Sequence, residues 1–235
     1  MLSIDPFRGQ ALRRAYEIRL YSIKAKAFGL FSCAQDYGPI IHEFDPWFNY
    51  RATEYLAEHG WHKPLAYNSL CSESRFFTWF DHMSWYPLGR PVATTIYPSM
   101  QITSVLFYHL LRLFDASWDL NKVCCFLPAW GGALSAACAG LLAAEASPKA
   151  LAPAAWAMAL VPAHLARSVG GGFDNEATAL PAMCLAFVLW CRALRTKSSW
   201  PIAALAGLSY SYMAASWGGY IFALRLDSAR RPSLF

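Results

Sequence analysis

Two pairs of acidic residues have the composition and spacing of a site that could do chemistry. Glu43 and Asp45 lie two positions apart in the segment HEFDPWFNYR, and Asp174 and Glu176 have the same spacing in the segment GGGFDNEATA. Each pair lies at the edge of an apolar stretch. Hard divalent cations such as Mg²⁺ and Mn²⁺ prefer oxygen ligands and often act beside phosphate groups. The sequence therefore predicts that these two motifs hold a divalent cation.

A basic residue precedes the second pair and extends this interpretation. Arg167 lies seven residues before Asp174, at the end of an apolar stretch, where a guanidinium could form two bonds to phosphate oxygens. A cation and an arginine together suit a diphosphate leaving group. Both pairs also have a purely structural interpretation. Asp174 could be the N-cap of a helix with Glu176 in its first turn, and the Asp45-Pro46 dipeptide could begin a helix.

The composition is that of a membrane protein. Of the 235 residues, 56% are hydrophobic and 15% are charged, whereas soluble domains carry roughly one quarter charged residues. Four stretches without Asp, Glu, Lys or Arg predict membrane spans: 123–144, 150–166, 177–191 and 198–224. The first is long enough for the roughly 20 residues that a spanning helix needs, whereas the middle two are short and depend on uncharged flanking residues. We predict an all-α polytopic membrane protein, with a soluble helical core as the alternative.

A fifth uncharged stretch, 91–111, decides whether the two acidic motifs share one side of the membrane. If this stretch crossed the bilayer, three crossings would separate Asp45 from Asp174 and the motifs would face opposite compartments. It is more polar than the spans, with Pro91, Pro98, Gln101 and His109. We therefore predict that it forms an interfacial or partly buried helix.

Basic residues predict the orientation of the chain. They concentrate before residue 27 and in the short loop 192–197; the group comprises Arg8, Arg13, Arg14, Arg19, Lys24, Lys26, Arg192, Arg195 and Lys197. Such residues mark the cytoplasmic side, so both acidic motifs should face the lumen. The net charge of +5 reflects these loops and does not predict nucleic-acid binding. Only nine uncharged residues separate Lys26 from Asp36, too few for a convincing first span.

The other residue classes do not predict a zinc or disulfide site. The seven cysteines include no Cys-x-x-Cys pair, and the six histidines lack a metal-ligand spacing. The aromatic residues between positions 76 and 86 favour a belt at the membrane interface over a platform for stacking sugars.

Four segments carry a resemblance to a known family. They are IHEFDPWFNYRATEYLAEHGW, WFDHMSWYPLGRPVATTIYPSMQITS, PAHLARSVGGGFDNEATA and ASWGGYIFAL, and the match runs in this order from about residue 35 to about residue 224. The chain resembles the N-terminal part of the catalytic subunit of eukaryotic oligosaccharyltransferase, a C-type glycosyltransferase. The resemblance implies a multi-pass protein of the endoplasmic reticulum membrane with its active face in the lumen. It also implies a transmembrane bundle with a long first lumenal loop that contains amphipathic helices.

The same resemblance implies an activity and roles for the site residues. The reaction would transfer a preassembled oligosaccharide from a dolichyl-diphosphate donor to the asparagine of an Asn-x-Ser/Thr sequence in a nascent protein. Asp45, Asp174 and Glu176 would bind Mn²⁺ or Mg²⁺, Asp45 would contact the acceptor asparagine, and Arg167 would support catalysis near the phosphates. Glu43 belongs to the first motif. The implied partners are the lipid-linked donor, the nascent polypeptide, other oligosaccharyltransferase subunits and the bilayer, with no nucleic acid.

The resemblance also divides the chain and leaves an alternative function open. The expected parts are a cytoplasmic N-terminus with a weak first membrane segment (1–41), the first lumenal loop (42–121), transmembrane helices with the second motif in a lumenal loop at 167–176 (122–224), and a divergent polar tail (225–235). The family's acceptor-reading C-terminal part has no counterpart in these 235 residues. The alternative is therefore a truncated, catalytically incompetent fragment or an assembly subunit of the same complex. A transporter is disfavoured, because the sequence shows no inverted repeat.

Overall fold

The computed structural model describes residues 38–60, 76–92, 94–195 and 199–228. The helices are α1 Phe44–His59, α2 Ser99–Phe114, α3 Leu120–Ala146, α4 Leu151–Leu160, α5 Pro162–Ala166, α6 Glu176–Ala193, α7 Trp200–Ser216 and α8 Tyr220–Ser228. A short 3-10 helix, Pro148–Ala150, precedes α4, and two-residue strands β1 (Phe80–Asp81) and β2 (Arg90–Pro91) pair in antiparallel fashion. The chain is thus mostly helical, as predicted. The predicted first membrane segment, the basic residues before residue 27, Lys197 and residues 229–235 of the polar tail lie outside the described residues.

Helices α3 and α6 are long and apolar enough to cross a bilayer, with 27 and 18 residues. They run in the same direction. Gly131 of α3 lies against Ala177 at the start of α6, and Glu145 near the end of α3 pairs with Arg192 near the end of α6, with 3.0 Å between Glu145 Oε1 and Arg192 Nη1. The absence of a side chain at Gly131 lets the two helix backbones approach each other closely.

The segment between these two parallel helices must lead the chain back along the length of α3. At a rise of 1.5 Å per residue, α3 is about 40 Å long, so 148–166 has to lead back from its far end. This segment runs back along α3, where Gly140 contacts Leu151 and Ala155. It is interrupted before Pro162, because proline lacks an N–H group and forces Val161 out of the helical region (φ −54°, ψ 123°). The segment 148–166 therefore leads the chain from the end of α3 back to the end at which α3 begins.

The predicted span 198–224 is also interrupted. Helix α7 ends at Ser216, and Trp217 adopts an extended conformation (φ −160°, ψ 138°) before Gly218 and Gly219 lead into α8. A β-conformation at Trp217 ends the helical hydrogen-bond pattern that the uncharged sequence would otherwise permit.

Helix α2 occupies much of the stretch 91–111, which was predicted to form an interfacial or partly buried helix. It packs against α1, α3 and α7, and its hydroxyl groups bond to α7: Thr103 Oγ1 lies 2.6 Å from Tyr212 Oη, and the Ser99 and Ser216 hydroxyls share a hydrogen bond. With 16 residues it is not one of the two candidate spans found in the described part of the chain. Its position relative to the interface stays a prediction.

The buried carboxylate of Asp81 connects residues 76–92 to helix α1. Arg51 Nε and Nη2 donate to the two oxygens of Asp81 at 2.6 and 3.0 Å, and the Ser84 hydroxyl and the Met83 amide donate to the same carboxylate. Burial alone would raise the pKa of Asp81, but these hydrogen bonds and the arginine charge outweigh burial and hold its pKa below the usual value. Residues 80–91 therefore depend on an ionised Asp81.

The low pKa of Asp81 predicts acid sensitivity of this segment. A carboxyl group whose pKa is lower in the folded than in the unfolded chain stabilises the fold above its unfolded pKa of about 4, and this stabilisation is lost as the pH falls through the folded pKa. We expect hydrogen-exchange protection of residues 80–91 to decrease as the pH falls through the folded pKa of Asp81. Asp81→Asn should show the same loss of protection at pH 7. Asp115→Asn is the control, because Asp115 bonds to Ser117 in another loop. Unchanged protection in Asp81→Asn would contradict the assignment.

Two helical glycines form a matched pair that tests the packing of α3 on α6. A Cβ at Gly131 would collide with the Ala177 carbonyl, whereas a Cβ at Gly207 of α7 meets nothing within 4 Å. We expect Gly131→Ala to destabilise the protein by about 1–3 kcal/mol through overpacking. Gly207→Ala should stabilise it by up to about 1 kcal/mol through helix propensity. Thermal unfolding in detergent measures both; equal melting temperatures would argue against the close helix contact.

Candidate active site between the two acidic motifs

The first acidic motif lies at the N-terminus of α1. The helix begins at Phe44 with Asp45 in its first turn, followed by Pro46, which suits a position whose N–H has no helical partner. The helix start predicted from the Asp45-Pro46 dipeptide is therefore confirmed. The Asp45 side chain is exposed. Glu43 is the N-cap residue with φ 70° and ψ 163°, a conformation that is costly for residues other than glycine.

The second acidic motif lies in the loop 167–175 between α5 and α6. Glu176 is in the first turn of α6, as predicted, but the N-cap position falls on Asn175 and not on Asp174. Asp174 instead closes the turn before the helix. Its Oδ1 accepts from the Asn175 amide at 2.7 Å, and its carbonyl accepts from the Ala177 amide at 2.9 Å.

The loop 167–175 docks against the segment that leads into α1. The His42 amide donates to the Gly171 carbonyl at 3.2 Å, and the Gly171 amide donates to the Cys125 carbonyl at 3.0 Å. Gly171 has φ +86°, and a Cβ there would collide with the Ile40 carbonyl and lie 2.6 Å from His42 Nε2. Gly171 is therefore required for close contact between the two motifs.

A buried amide joins the two motifs directly. Asn49 Nδ2 lies 3.4 Å from both the Phe173 carbonyl oxygen and Asp174 Oδ1, and Gln101 Nε2 donates to Asn49 Oδ1 at 3.3 Å. Asn49 follows Asp45 by four residues, so both lie on one face of α1. Asp45 is therefore one helical turn from the Asn49–Asp174 contact. Sequence reasoning missed Asn49 and Gln101, although a polar residue four positions after Asp45 was a usable signal.

Arg167 lies over both carboxylates of the second motif, as its sequence position indicated. Its Nη1 is 3.6 Å from Asp174 Oδ2 and its Nε is 3.2 Å from Glu176 Oε2, and its side chain is 52% exposed. Glu176 Oε2 is buried and has no hydrogen-bond partner among the described residues, so its contact with Arg167 is an ion pair without hydrogen-bond geometry. The single positive charge of the guanidinium offsets part of the negative charge of the two carboxylates, while about half of the Arg167 side chain stays exposed.

The carboxylates have the oxygen ligands that a hard divalent cation prefers, but those of the described residues do not surround a single ion position. Within residues 38–60, 76–92, 94–195 and 199–228, no three Asp, Glu, His or Cys side chains are grouped closely enough to hold a metal ion. Asp174 and Glu176 share one guanidinium, and the buried unbonded oxygen of Glu176 is a suitable ligand atom. Convergence of Asp45 with these two residues on one ion stays a prediction.

Arg90 is a second basic residue at this site that sequence reasoning did not select. Its guanidinium lies 4.1 Å from the centre of the Phe48 ring and 4.8 Å from that of Trp85, and Nε donates to Thr95 Oγ1 at 2.8 Å. Burial lowers the pKa of Arg90, while the negative charge of Asp45 acts in the opposite direction. Arg90 thus places a fixed positive charge near the exposed carboxylate of the first motif.

Comparison with known proteins places this arrangement in a family. Residues 14–227 match the family model described as Oligosaccharyl transferase STT3, N-terminal. The chain belongs to the STT3 family. The dolichyl-diphosphooligosaccharide–protein glycosyltransferase subunit stt-3 of Caenorhabditis elegans is 42% identical over 189 residues, which are 80% of this chain and 23% of that protein. The corresponding subunit of Schizosaccharomyces pombe is 39% identical over 208 residues, 87% of this chain and 25% of that protein.

Solved structures related to the STT3 family share the fold. The archaeal oligosaccharyltransferase AglB from Archaeoglobus fulgidus, in complex with an inhibitory peptide and a dolichol-phosphate, superposes with a TM-score of 0.66 at 22% identity, covering 93% of this chain and 25% of that one. The apo form from the same organism gives a TM-score of 0.65 over 90% of this chain and 24% of that one. The chain spans about a quarter of the length of the STT3 relatives it matches.

Two neighbouring glycines provide a matched test of the contact between the motifs. Gly171→Ala introduces a left-handed alanine and a collision with the Ile40 carbonyl, whereas a Cβ at Gly172 makes only ordinary contacts with Val169. We expect Gly171→Ala to cost about 2–4 kcal/mol and to expose the amides of 40–43 and 171–174 to hydrogen exchange. Gly172→Ala should leave both nearly unchanged. Similar exchange in the two variants would show that the motifs are not docked through Gly171.

Proposed function

We propose that this chain forms the N-terminal part of an active oligosaccharyltransferase. The reaction transfers a preassembled oligosaccharide from a dolichyl-diphosphate donor to the asparagine of Asn-x-Ser/Thr sequences in nascent proteins. Membership of the STT3 family supports this proposal. The observation that carries it is the bond between Asn49 of the first-motif helix and Asp174 of the second motif at 3.4 Å, because it brings together two carboxylate motifs that are far apart in the sequence.

Asp45 is assigned to the acceptor. The lone pair of an amide nitrogen is delocalised, so the acceptor asparagine is a poor nucleophile unless a carboxylate engages its N–H groups. Asp45 is exposed at the first turn of α1 and can accept hydrogen bonds from such groups. Arg90 places a positive charge near Asp45 on the side of α1 that would face the acceptor.

Arg167, Asp174 and Glu176 are assigned to the diphosphate side of the reaction. The Arg167 side chain is 52% exposed, so its guanidinium can reach phosphate oxygens and bind them. Asp45, Asp174 and Glu176 would hold Mn²⁺ or Mg²⁺, which when bound supplies positive charge against the departing diphosphate. The buried Glu176 carboxylate and the bonded Asp174 carboxylate are held in place by α6 and by the turn that precedes it.

The membrane arrangement supports a single active face. Helix α3 leads away from the site, 148–166 leads back, and the two motifs then meet at one end of the bundle. We assign this end to the lumen of the endoplasmic reticulum, in a multi-pass protein that associates with other oligosaccharyltransferase subunits and the bilayer. Exposed apolar side chains on α2, α4 and α7 agree with contacts to lipid or to further helices: Leu106, Leu110, Leu113, Trp156, Leu160, Trp200, Leu205 and Leu208.

The proposal is tested with purified protein, lipid-linked oligosaccharide, an Asn-x-Thr peptide and Mn²⁺. Binding of Mn²⁺ is measured by calorimetry, and peptide glycosylation by mass spectrometry. Asp174→Asn and Glu176→Gln should each weaken Mn²⁺ binding by at least tenfold, and Asp45→Asn should also abolish transfer. Glu58→Gln is the control, because Glu58 is an exposed carboxylate at the opposite end of the helix that carries Asp45.

The outcomes separate the proposal from its alternative. If the wild type and the control variant transfer the oligosaccharide and the three site variants do not, the proposed reaction is established. Mn²⁺ binding without transfer establishes the metal site and favours a catalytically incompetent fragment or an assembly subunit. Absence of both Mn²⁺ binding and transfer contradicts the proposed function.

A further inference from the structure

Two buried side-chain amides connect helices α1 and α2 to the second acidic motif. Gln101 is fully buried and Asn49 is 5% exposed. Gln101 Nε2 donates to Asn49 Oδ1 at 3.3 Å, which leaves the Asn49 Nδ2 group as the donor toward Asp174 Oδ1 and the Phe173 carbonyl, both at 3.4 Å. The bond from Gln101 thus determines which end of the Asn49 amide faces the carboxylate.

This arrangement differs from that of Thr53 and Ser104, two other buried polar residues on the same helices. Thr53 of α1 and Ser104 of α2 are also fully buried, but their hydroxyl groups donate to carbonyls one turn earlier in their own helices, those of Asn49 and Met100, at 2.8 Å in each case. Such bonds satisfy a buried hydroxyl within its own helix, although the Ser104 side chain also interacts with Cys124 of α3. Asn49 and Gln101 instead bond across three segments of the chain.

Burial of the two amides also makes the core less stable than apolar side chains of similar size would make it. Gln101 Oε1 is buried without a hydrogen-bond partner among the described residues, and an unbonded buried acceptor destabilises a fold that an apolar side chain of similar size would not. A core built only for stability would not retain this oxygen. The cost is consistent with a requirement for the donor at the other end of the same side chain.

We propose that Gln101 and Asn49 are positioning residues that orient the Asp174 carboxylate for cation binding. Gln101 fixes the Asn49 amide, and Asn49 bonds one carboxylate oxygen, Oδ1, so that Oδ2 points to the side where Arg167 lies 3.6 Å away. This inference rests on the proposed function, because the cation belongs to that function. It adds to the carboxylates a pair of residues that act through Asp174 and touch neither ion nor substrate.

The test uses near-isosteric substitutions that remove the amides. Asn49→Leu and Gln101→Met are compared with the control variants Thr53→Val and Ser104→Ala, which alter equally buried residues one turn along the same helices. Mn²⁺ affinity of the full chain is measured by electron paramagnetic resonance. We expect Asn49→Leu and Gln101→Met each to weaken Mn²⁺ binding by about 10- to 100-fold, the range found for residues that orient metal ligands. The controls should remain within about twofold of wild type.

A double substitution distinguishes positioning from a general loss of packing. If Gln101 acts only through Asn49, adding Gln101→Met to Asn49→Leu should weaken Mn²⁺ binding no further. Hydrogen exchange of residues 171–176, measured without metal, is the second readout and should increase in both single variants but not in the controls. Additive losses of affinity, or losses equal to those of the controls, would overturn the proposal.

The exchange readout also separates this inference from the proposed function. If the wild-type chain binds no Mn²⁺, the proposed metal site is wrong. Hydrogen exchange alone then tests whether Gln101 and Asn49 orient Asp174. Faster exchange at 171–176 in both single variants would then support the orienting contact, whereas unchanged exchange would overturn it. If the wild type binds Mn²⁺ and both variants bind it equally well, the inference fails while the proposed function stands.

Discussion

The contact between helix α1 and the loop 167–175 is the constraint on which the site depends. It consists of a backbone bond from His42 to Gly171, a glycine that leaves room for the Ile40 carbonyl, and an asparagine that bonds Asp174. None of these interactions is strong alone, since a hydrogen bond adds only about 1 kcal/mol net. Together they hold Glu43 in a backbone conformation that a free helix end would not adopt. A local rearrangement here separates the two acidic motifs.

The helical bundle serves this contact by bringing distant segments to one end. Parallel packing of α3 and α6 requires a return segment, and that segment ends at Arg167. The Gly131–Ala177 approach fixes the start of α6 and with it the position of Glu176. At the other end, Glu145 bonds to Arg192 and Arg195. The positions of the carboxylates are therefore set by helix packing as well as by the loops that carry them.

Much of this could be predicted from the sequence, and the rest had definite physical reasons for being missed. Uncharged stretches and the Asp45-Pro46 signal gave the helices, because apolar length and local capping are properties of short segments. The relation between Asn49 and Gln101 could not be found in this way, since it depends on tertiary contacts between separate helices. The role of Gly171 was missed because a glycine in a turn and a glycine in a tight contact look alike in sequence. Pro162 was visible in the sequence, but the helix break before it was not predicted from it.

The distance along the chain between the bonded partners has a consequence for biosynthesis. Asn49 and Asp174 are 125 residues apart, and at a translation rate of roughly 5–20 residues per second the ribosome needs roughly 6–25 s to add that length. During this interval α1 can pack against α2 but lacks the loop 167–175, because α3 and the segment 148–166 are made before that loop. The candidate site can therefore form only late in synthesis, and misplacement of α3 or of the segment after it would leave the two acidic motifs apart.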